Sequence, residues 1–294
     1  PVHTRLRGLI NRAFVSRQIE KLTPKIAALS HELIDALEAQ GQADLIPAFC
    51  TPVPMAIITE MLGVPYSMAD QMLDWSHKMV AMYQFNRNRE TEDAAVAATL
   101  EFSDYIRSYI EERRRRPADD LISTLIAAEE GGQKLSTDEL IATCILVLNA
   151  GHEATVHALS NSIRVLLEHG ISPDAAFATP AATEACVEEC LRIDPPMHMF
   201  TRFCLEDFEY KGVQFRTGDR IGLMIGAANH DPQRFPDPAR FALDRGNSAA
   251  HTTLGGGIHF CVGAPLARLE MQVALPILFR RLPGLKLAGK PLYA

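Results

Sequence analysis

One cysteine stands where a soft anionic ligand can be made. Cys261 follows the run Leu254-Gly255-Gly256-Gly257-Ile258-His259-Phe260 and precedes Val262-Gly263 and a helical pattern. Glycines in such a turn let the backbone come close to a large flat ligand. Backbone N–H groups at a helix N-terminus favour a thiolate over a thiol, and a thiolate ligates iron or zinc. Two other readings stay open at this level. A cysteine before a helix is often simply buried, and His259 with Cys261 suggests half of a zinc site, although no second pair at ligand spacing accompanies them.

Four further groups carry charge or small size in patterns that suit a site. His3 and Arg7 lie one helical turn apart on one face. Arg202 follows the helix-breaking Pro195-Pro196 on an expected strand, and His259 lies in the glycine run. Such residues donate charge-assisted hydrogen bonds to carboxylates, although each alone also suits a solvated surface. Ala150-Gly151-His152-Glu153-Ala154-Thr155 sits inside a long helical pattern, where a small pair lowers helix propensity and needs a reason. A close helix–helix contact is one reason, and room for a ligand is another. Glu189 and Arg192, at i and i+3, can pair on one helix face, as many surface residues do.

The elements that position these groups are mostly helical. Apolar residues at helical spacing predict helices over 3–15, 18–40, a segment ended by Gly63-Val64-Pro65, 67–84, 91–116, 136–168, 180–193 and 264–281. Ser136-Thr137-Asp138-Glu139 opens the longest as a capping box. Arg113 to Arg116 close another helix with charge that complements its dipole. Residues 201–226 alternate and carry the turn Tyr210-Lys211-Gly212, which predicts strands and a hairpin. Residues 229–258, rich in Pro, Gly and Asp, predict a long ordered loop of the kind that serves function.

The bulk composition sets wide limits. The 294 residues are 47% hydrophobic and 22% charged, enough for a sizeable core. A formal charge of −7 gives no reason to expect nucleic acid. No apolar run is long enough for a bilayer span. Cys50, Cys144, Cys186, Cys190, Cys204 and Cys261 lack framework spacing and suggest reduced thiols in a cytoplasm. The start at Pro1 and the end just after an apparent strand start suggest a piece of a longer chain.

The stretch from Leu254 to Gly263 resembles the haem-binding signature of the cytochrome P-450 family, Phe-Gly-x-Gly-x-His/Arg-x-Cys-x-Gly. It departs only at the first position, where Leu254 replaces the aromatic residue. The resemblance runs over nearly the whole chain. It implies a mostly α fold with a small β region, in one domain over 1–294 that lacks the family's N-terminal section and last strands. It implies Cys261 as axial ligand of haem b, with Gly255, Gly257 and Gly263 shaping the loop. His3, Arg7, Arg202 and His259 would meet the propionates, and Ala150 and Gly151 would leave room over the haem. Glu189 and Arg192 resemble the family's Glu-x-x-Arg motif, and Pro238-Ala239-Arg240-Phe241 resembles the segment supplying a second arginine to Glu189. All three are expected to be structural.

The implied reaction is insertion of one oxygen atom from O₂ into a small or medium apolar substrate. Electrons would come from a separate ferredoxin or flavodoxin-type partner, with NAD(P)H acting only through it. Val147, Ala150, Met197, Met199 and Phe200 are the implied pocket residues. Glu153 matches the acid of the family's Ala/Gly-Gly-x-Asp/Glu-Thr pattern, but Ala154 stands where the threonine is expected and a hydroxyl comes one place later, at Thr155. One helical residue is a rotation of about 100°, so Thr155 does not occupy the missing hydroxyl's place. A water held by Thr155, a substrate hydroxyl, or poor coupling would follow. Ala154 also keeps a peroxide-using or O₂-independent enzyme in view, and a non-catalytic haem-binding module is a further alternative that the retained Glu153 argues against.

Overall fold

The structure is a computed structural model that describes residues 2–14, 19–84, 87–128 and 134–291. It divides into two compact units. The first comprises Pro1–Ser160 with Cys261–Gly284, and the second Asn161–Phe260 with Leu285–Ala294.

The first unit is helical. Its elements are α1 (Val2–Ala13), α2 (Thr23–Glu38), a π-helical turn (Ile46–Cys50), α3 (Pro52–Leu62), α4 (Ala69–Val80), α5 (Arg89–Arg115), α6 (Leu121–Ala127), the first three-quarters of α7 (Thr137–Glu168), and a last helix (Ala264–Arg281). Side chains supply the missing partners at helix starts. Asn88 accepts from the Thr91 N–H at 2.9 Å, and Asp120 from the Ser123 N–H at 2.7 Å. Ser136 and Glu139 exchange bonds with each other's N–H at 3.2 and 2.8 Å, the reciprocal capping box expected from the sequence. Helix α3 stops at Gly63, whose φ of 73° is left-handed and whose absent Cβ leaves room for Asp120. Asp120 also binds Arg113 Nε at 2.5 Å, so part of the arginine run holds the α5–α6 turn.

Packing follows the apolar stripes. Helix α2 lies against Ala264–Arg281, and α4 against α5. Ile26, Ile34, Met72, Phe102, Ile106, Leu275 and Leu278 are buried, each contributing about 1.5–3 kcal/mol of transfer free energy. Trp75 meets Phe102 edge-on at 5.8 Å while its indole N–H donates to Glu101 at 2.8 Å, which lets a polar aromatic be buried without an orphaned donor.

The second unit holds the end of α7, α8 (Pro173–Ala176), α9 (Pro180–Ile193), β1 (Met199–Phe203), β2 (Phe208–Tyr210), β3 (Val213–Phe215), β4 (Arg220–Met224) and α10 (Ile225–Ala228). The Ala264–Arg281 helix of the first unit is therefore α11. Helix α9 starts on Thr179, whose side chain accepts from the Ala182 N–H, and ends ahead of Pro195-Pro196. The expected strand region resolves into two separate antiparallel pairs. β1 pairs β4 in a register from Met199↔Met224 to Phe203↔Arg220, and the β2–β3 hairpin is inserted between them in the chain. Lys211 and Gly212, with φ of 51° and 79°, make the tight turn whose twist suits a hairpin. Residues 225 and 226, the end of the expected strand region, belong instead to the helical turn Ile225–Ala228.

Candidate functional site

The last turn of α9 is the most densely bonded place in the second unit. Glu189 and Arg192 are both fully buried. The guanidinium meets the carboxylate in a fork, Nε to Oε2 and Nη2 to Oε1, both at 2.8 Å. Its remaining N–H groups reach the carbonyls of Asn229 and Pro238 at 2.9 Å and of Arg240 at 3.4 Å. Glu189 also accepts from the Ala242 N–H at 3.0 Å and from Ser248 Oγ at 2.8 Å. Burial alone would raise this carboxyl, but Arg192, Ser248 and Arg245 together hold it below the ordinary carboxylate value.

The second arginine on Glu189 is Arg245, at 3.0 Å, and not Arg240 as the sequence suggested. The Arg240 side chain is solvent-exposed beside Asp237 and Asp244, and only its backbone carbonyl joins the network. The two arginines lie five positions apart on an irregular loop, and no period there tells which one turns inward. Arg245 spans the loop by donating to the carbonyls of Pro236, Asp237 and Arg240. Downstream, Asn229 accepts from the Thr252 N–H and donates through Nδ2 to Thr253 Oγ1, and Thr253 Oγ1 donates to the Leu191 carbonyl at 2.6 Å. The result is a rigid loop that leads into the glycine run. There Gly255 and Gly257 have φ of 73° and 60°, which favours residues without a Cβ, and His259 is exposed in the short 3₁₀ turn Gly257–His259.

In the first unit, Cys261 differs from the other cysteines. Those five are buried, and burial pushes Cys50 and Cys144 up to about 12. Cys261 is partly exposed. Burial still raises its thiol, but the backbone N–H groups of Gly263 and Ala264 at the α11 N-terminus and the charges of Arg7 and Arg268 act the other way. Donors and positive charge around one accessible sulfur suit a thiolate that binds a metal, which removes the proton outright. Among the described residues no three of His, Cys, Asp and Glu gather to hold a metal ion, and a single cysteine sulfur is the kind of protein ligand that an iron porphyrin takes. Arg7 is half-buried with Nε on Asn11 at 3.0 Å, and His3 is exposed one turn before it.

Helix α7 carries the small pair. A Cβ on Gly151 would come within 2.5 Å of the Ile58 side chain, so the closeness of α3 is one reason for this glycine. Ala150 is exposed, Glu153 and Ala154 are half-buried, and Val147 is buried. Thr155 is buried and its hydroxyl donates, at a long 3.4 Å, to the Gly151 carbonyl. His152 binds the Leu148 carbonyl through Nδ1 at 2.9 Å, and burial lowers its proton affinity. In the second unit, Met197, Met199 and Phe200 are 42%, 37% and 36% exposed, which leaves apolar surface for a ligand. Arg202 is exposed and donates to the Thr201 carbonyl.

Residues 1–170 and 181–283 match the model of the cytochrome P450 family. The chain belongs to the cytochrome P450 family. It is 40% identical over 292 residues to the polyketide biosynthesis cytochrome P450 PksS of Bacillus subtilis, covering 99% of this chain and 71% of that one. It is 36% identical to the 6-deoxyerythronolide B hydroxylase of Saccharopolyspora erythraea, covering 98% and 70%. Among solved structures, that of PksS superposes with a TM-score of 0.91 at 39% identity over 98% of this chain and 73% of the other. P450BioI, in complex with an acyl carrier protein ligated to hexadec-9Z-enoic acid, superposes with a TM-score of 0.92 at 35% identity over 98% and 74%.

This cytochrome P450 is therefore a mostly α haem-thiolate monooxygenase, an oxidoreductase that uses haem b with electrons from a partner protein. No helix among the described residues is long and apolar enough to cross a membrane.

Proposed function

We propose that the Cys261 sulfur would hold the haem iron in an enzyme that inserts one atom of O₂ into a small or medium apolar substrate. The single observation that carries this is the setting of Cys261: the one partly exposed cysteine, facing two backbone N–H groups and two arginines. When bound, haem supplies the iron at which dioxygen is activated. The chain's own residues do the rest. Gly263 and Ala264 hold the sulfur by their N–H groups, and Gly255 and Gly257 allow close backbone approach. His3, Arg7, Arg202 and His259 are each of a type that would pair with a carboxylate of the group. Glu153 carries protons at its carboxylate, Ala154 leaves a gap where a hydroxyl would stand, and Thr155 holds a water.

The half-exposed apolar side chains of Met197, Met199 and Phe200 are surface that an apolar substrate would meet. The chain works as a single domain in the cytoplasm. Its electrons come from NAD(P)H through a ferredoxin or flavodoxin-type protein. The names of its relatives, a polyketide biosynthesis cytochrome P450, a 6-deoxyerythronolide B hydroxylase and a P450 seen with an acyl carrier protein, support an apolar polyketide or acyl substrate.

The test offers 6-deoxyerythronolide B and hexadec-9Z-enoic acid, with ferredoxin, its reductase, NADPH and ¹⁸O₂. One ¹⁸O atom in the product and matching oxygen uptake are expected. Ala154 favours a second reading, peroxide-driven or O₂-independent turnover. Product that forms from peroxide or under argon, and not from O₂ with reductase, would replace the first reading with the second.

A further inference from the structure

The segment leading to Cys261 is tied to α9 by a second device, separate from the Glu189 network. Glu188, the neighbour of Glu189, is buried, as is His251, ten residues before the cysteine. His251 Nε2 lies 3.3 Å from Glu188 Oε2, and their side chains are 1% and 6% exposed. The ring is oriented by its other nitrogen. The Thr253 N–H donates to His251 Nδ1 at 3.2 Å, so Nδ1 presents a lone pair and the ring proton sits on Nε2, on the Glu188 side. That N–H makes no straight hydrogen bond within the described residues. The contact with Glu188 is thus longer or more bent than a good hydrogen bond, and charge–dipole attraction holds it.

The imidazole therefore spans two things: a helix carboxylate on one side and the backbone of the loop on the other. What it fixes is the place where the chain turns toward the cysteine. Thr253, held by His251 at its N–H, is held by its hydroxyl to Leu191. The Thr252 carbonyl accepts from the Gly255 N–H at 2.8 Å, closing the turn that opens the glycine run. A shift at His251 is transmitted along residues 252–255 by these bonds.

We propose that His251 and Glu188 are positioning residues of the glycine run that leads to Cys261, acting through the backbone of 251–255. This rests on the reading of Cys261 as the iron ligand. Two substitutions isolate the pair. His251→Asn keeps an acceptor for the Thr253 N–H, since Asn Oδ1 takes the place of Nδ1, but loses the reach to Glu188. Glu188→Gln keeps the volume and removes the charge.

Parent, both variants and the double variant are loaded with haem, reduced under carbon monoxide, and followed as the thiolate-ligated spectrum gives way to the non-thiolate form. Unfolding of helix is followed separately by circular dichroism in urea. Each single variant should lose the thiolate spectrum roughly threefold faster or more, the size of an ordinary coupling between contacting side chains. The urea midpoint should move little, and the double variant should be no worse than the worse single. Rates equal to the parent in both singles, or additive effects in the double, would overturn the proposal. Should His251→Asn fail to accumulate, Glu188→Gln decides by the same rate. A parent without the thiolate spectrum would refute the ligand assignment itself, whereas a parent with it and unchanged variants refutes only the role of the pair.

Discussion

The last turn of α9 and the middle of α7 each present one acid on a helix, and they are built in opposite ways. Glu189 is fully buried, and its two oxygens accept from Arg192, Arg245, Ser248 and the Ala242 N–H. Glu153 is half-buried. Beside it stand Ala154, with no polar atom, and Thr155, whose hydroxyl is on a backbone carbonyl at 3.4 Å. The first arrangement is over-determined by its own chain, so a lost partner leaves a charge stranded. The second leaves its polar circuit to be completed by water or substrate. The frame that carries the cysteine loop is thus separable from the stretch proposed to handle protons, and substitutions in the two should fail in different ways, in stability for one and in coupling for the other.

The strongest test of the frame is Glu189→Ala. It strands Arg192 in the interior and should cost roughly 3–5 kcal/mol of stability, with loss of haem-loaded protein, read from denaturant midpoints. Because Glu189 is held below its ordinary value, its contribution is present above the unfolded value and is lost as pH falls through the folded one. The parent should therefore weaken in acid more steeply than a Glu189→Gln variant. A folded, haem-loaded Glu189→Ala protein would erase the contrast between the two regions.

Arg245→Ala comes next, at about 2 kcal/mol for charge-assisted hydrogen bonds lost around a buried carboxylate. Arg240→Ala should change the same midpoint by no more than about 0.5 kcal/mol, as exposed ion pairs do. The reverse ranking would restore Arg240 as the partner of Glu189.

Glu270, on α11, is a buried carboxyl whose oxygens find no hydrogen-bond partner among the described residues, and burial raises it well above its ordinary value. The stability tied to its neutral form is complete below the unfolded value near 4.5 and is lost as pH rises through the folded value. Glu270→Gln cannot titrate. Stability measured from pH 5 to 7 should then fall less steeply with pH, by up to about 1.4 kcal/mol per pH unit. An unchanged slope would mean that Glu270 is not held neutral.

The smallest effect is expected in α7. Thr155→Val should lower product formed per NAD(P)H by about twofold, well under 1 kcal/mol, and Ala154→Thr should leave that yield unchanged or raise it. Product and peroxide per NAD(P)H measure both. Coupling in Thr155→Val equal to the parent would take the hydroxyl out of the proton path and favour a substrate hydroxyl.

The sequence made the helices legible because their apolar spacing and caps are local, as at Ser136 and Glu139. It also made Cys261 stand out, because a glycine turn and a helix start meet there in ten residues. Arg245, Ser248 and His251 were not legible as partners of α9. They lie on an irregular loop without a period, and their roles are set by which carbonyls and carboxylates the fold brings near. Gly151 was legible as a small residue in need of a reason, but one reason, Ile58, lies on another helix. Ala154 was visible only as a departure.

The most direct test of the central claim is the spectrum of the reduced, haem-loaded protein under carbon monoxide, taken for the parent and for Cys261→Ser. The parent should show the band of a thiolate-ligated haem and the variant should lose it. Persistence of that band in Cys261→Ser would contradict the assignment of Cys261.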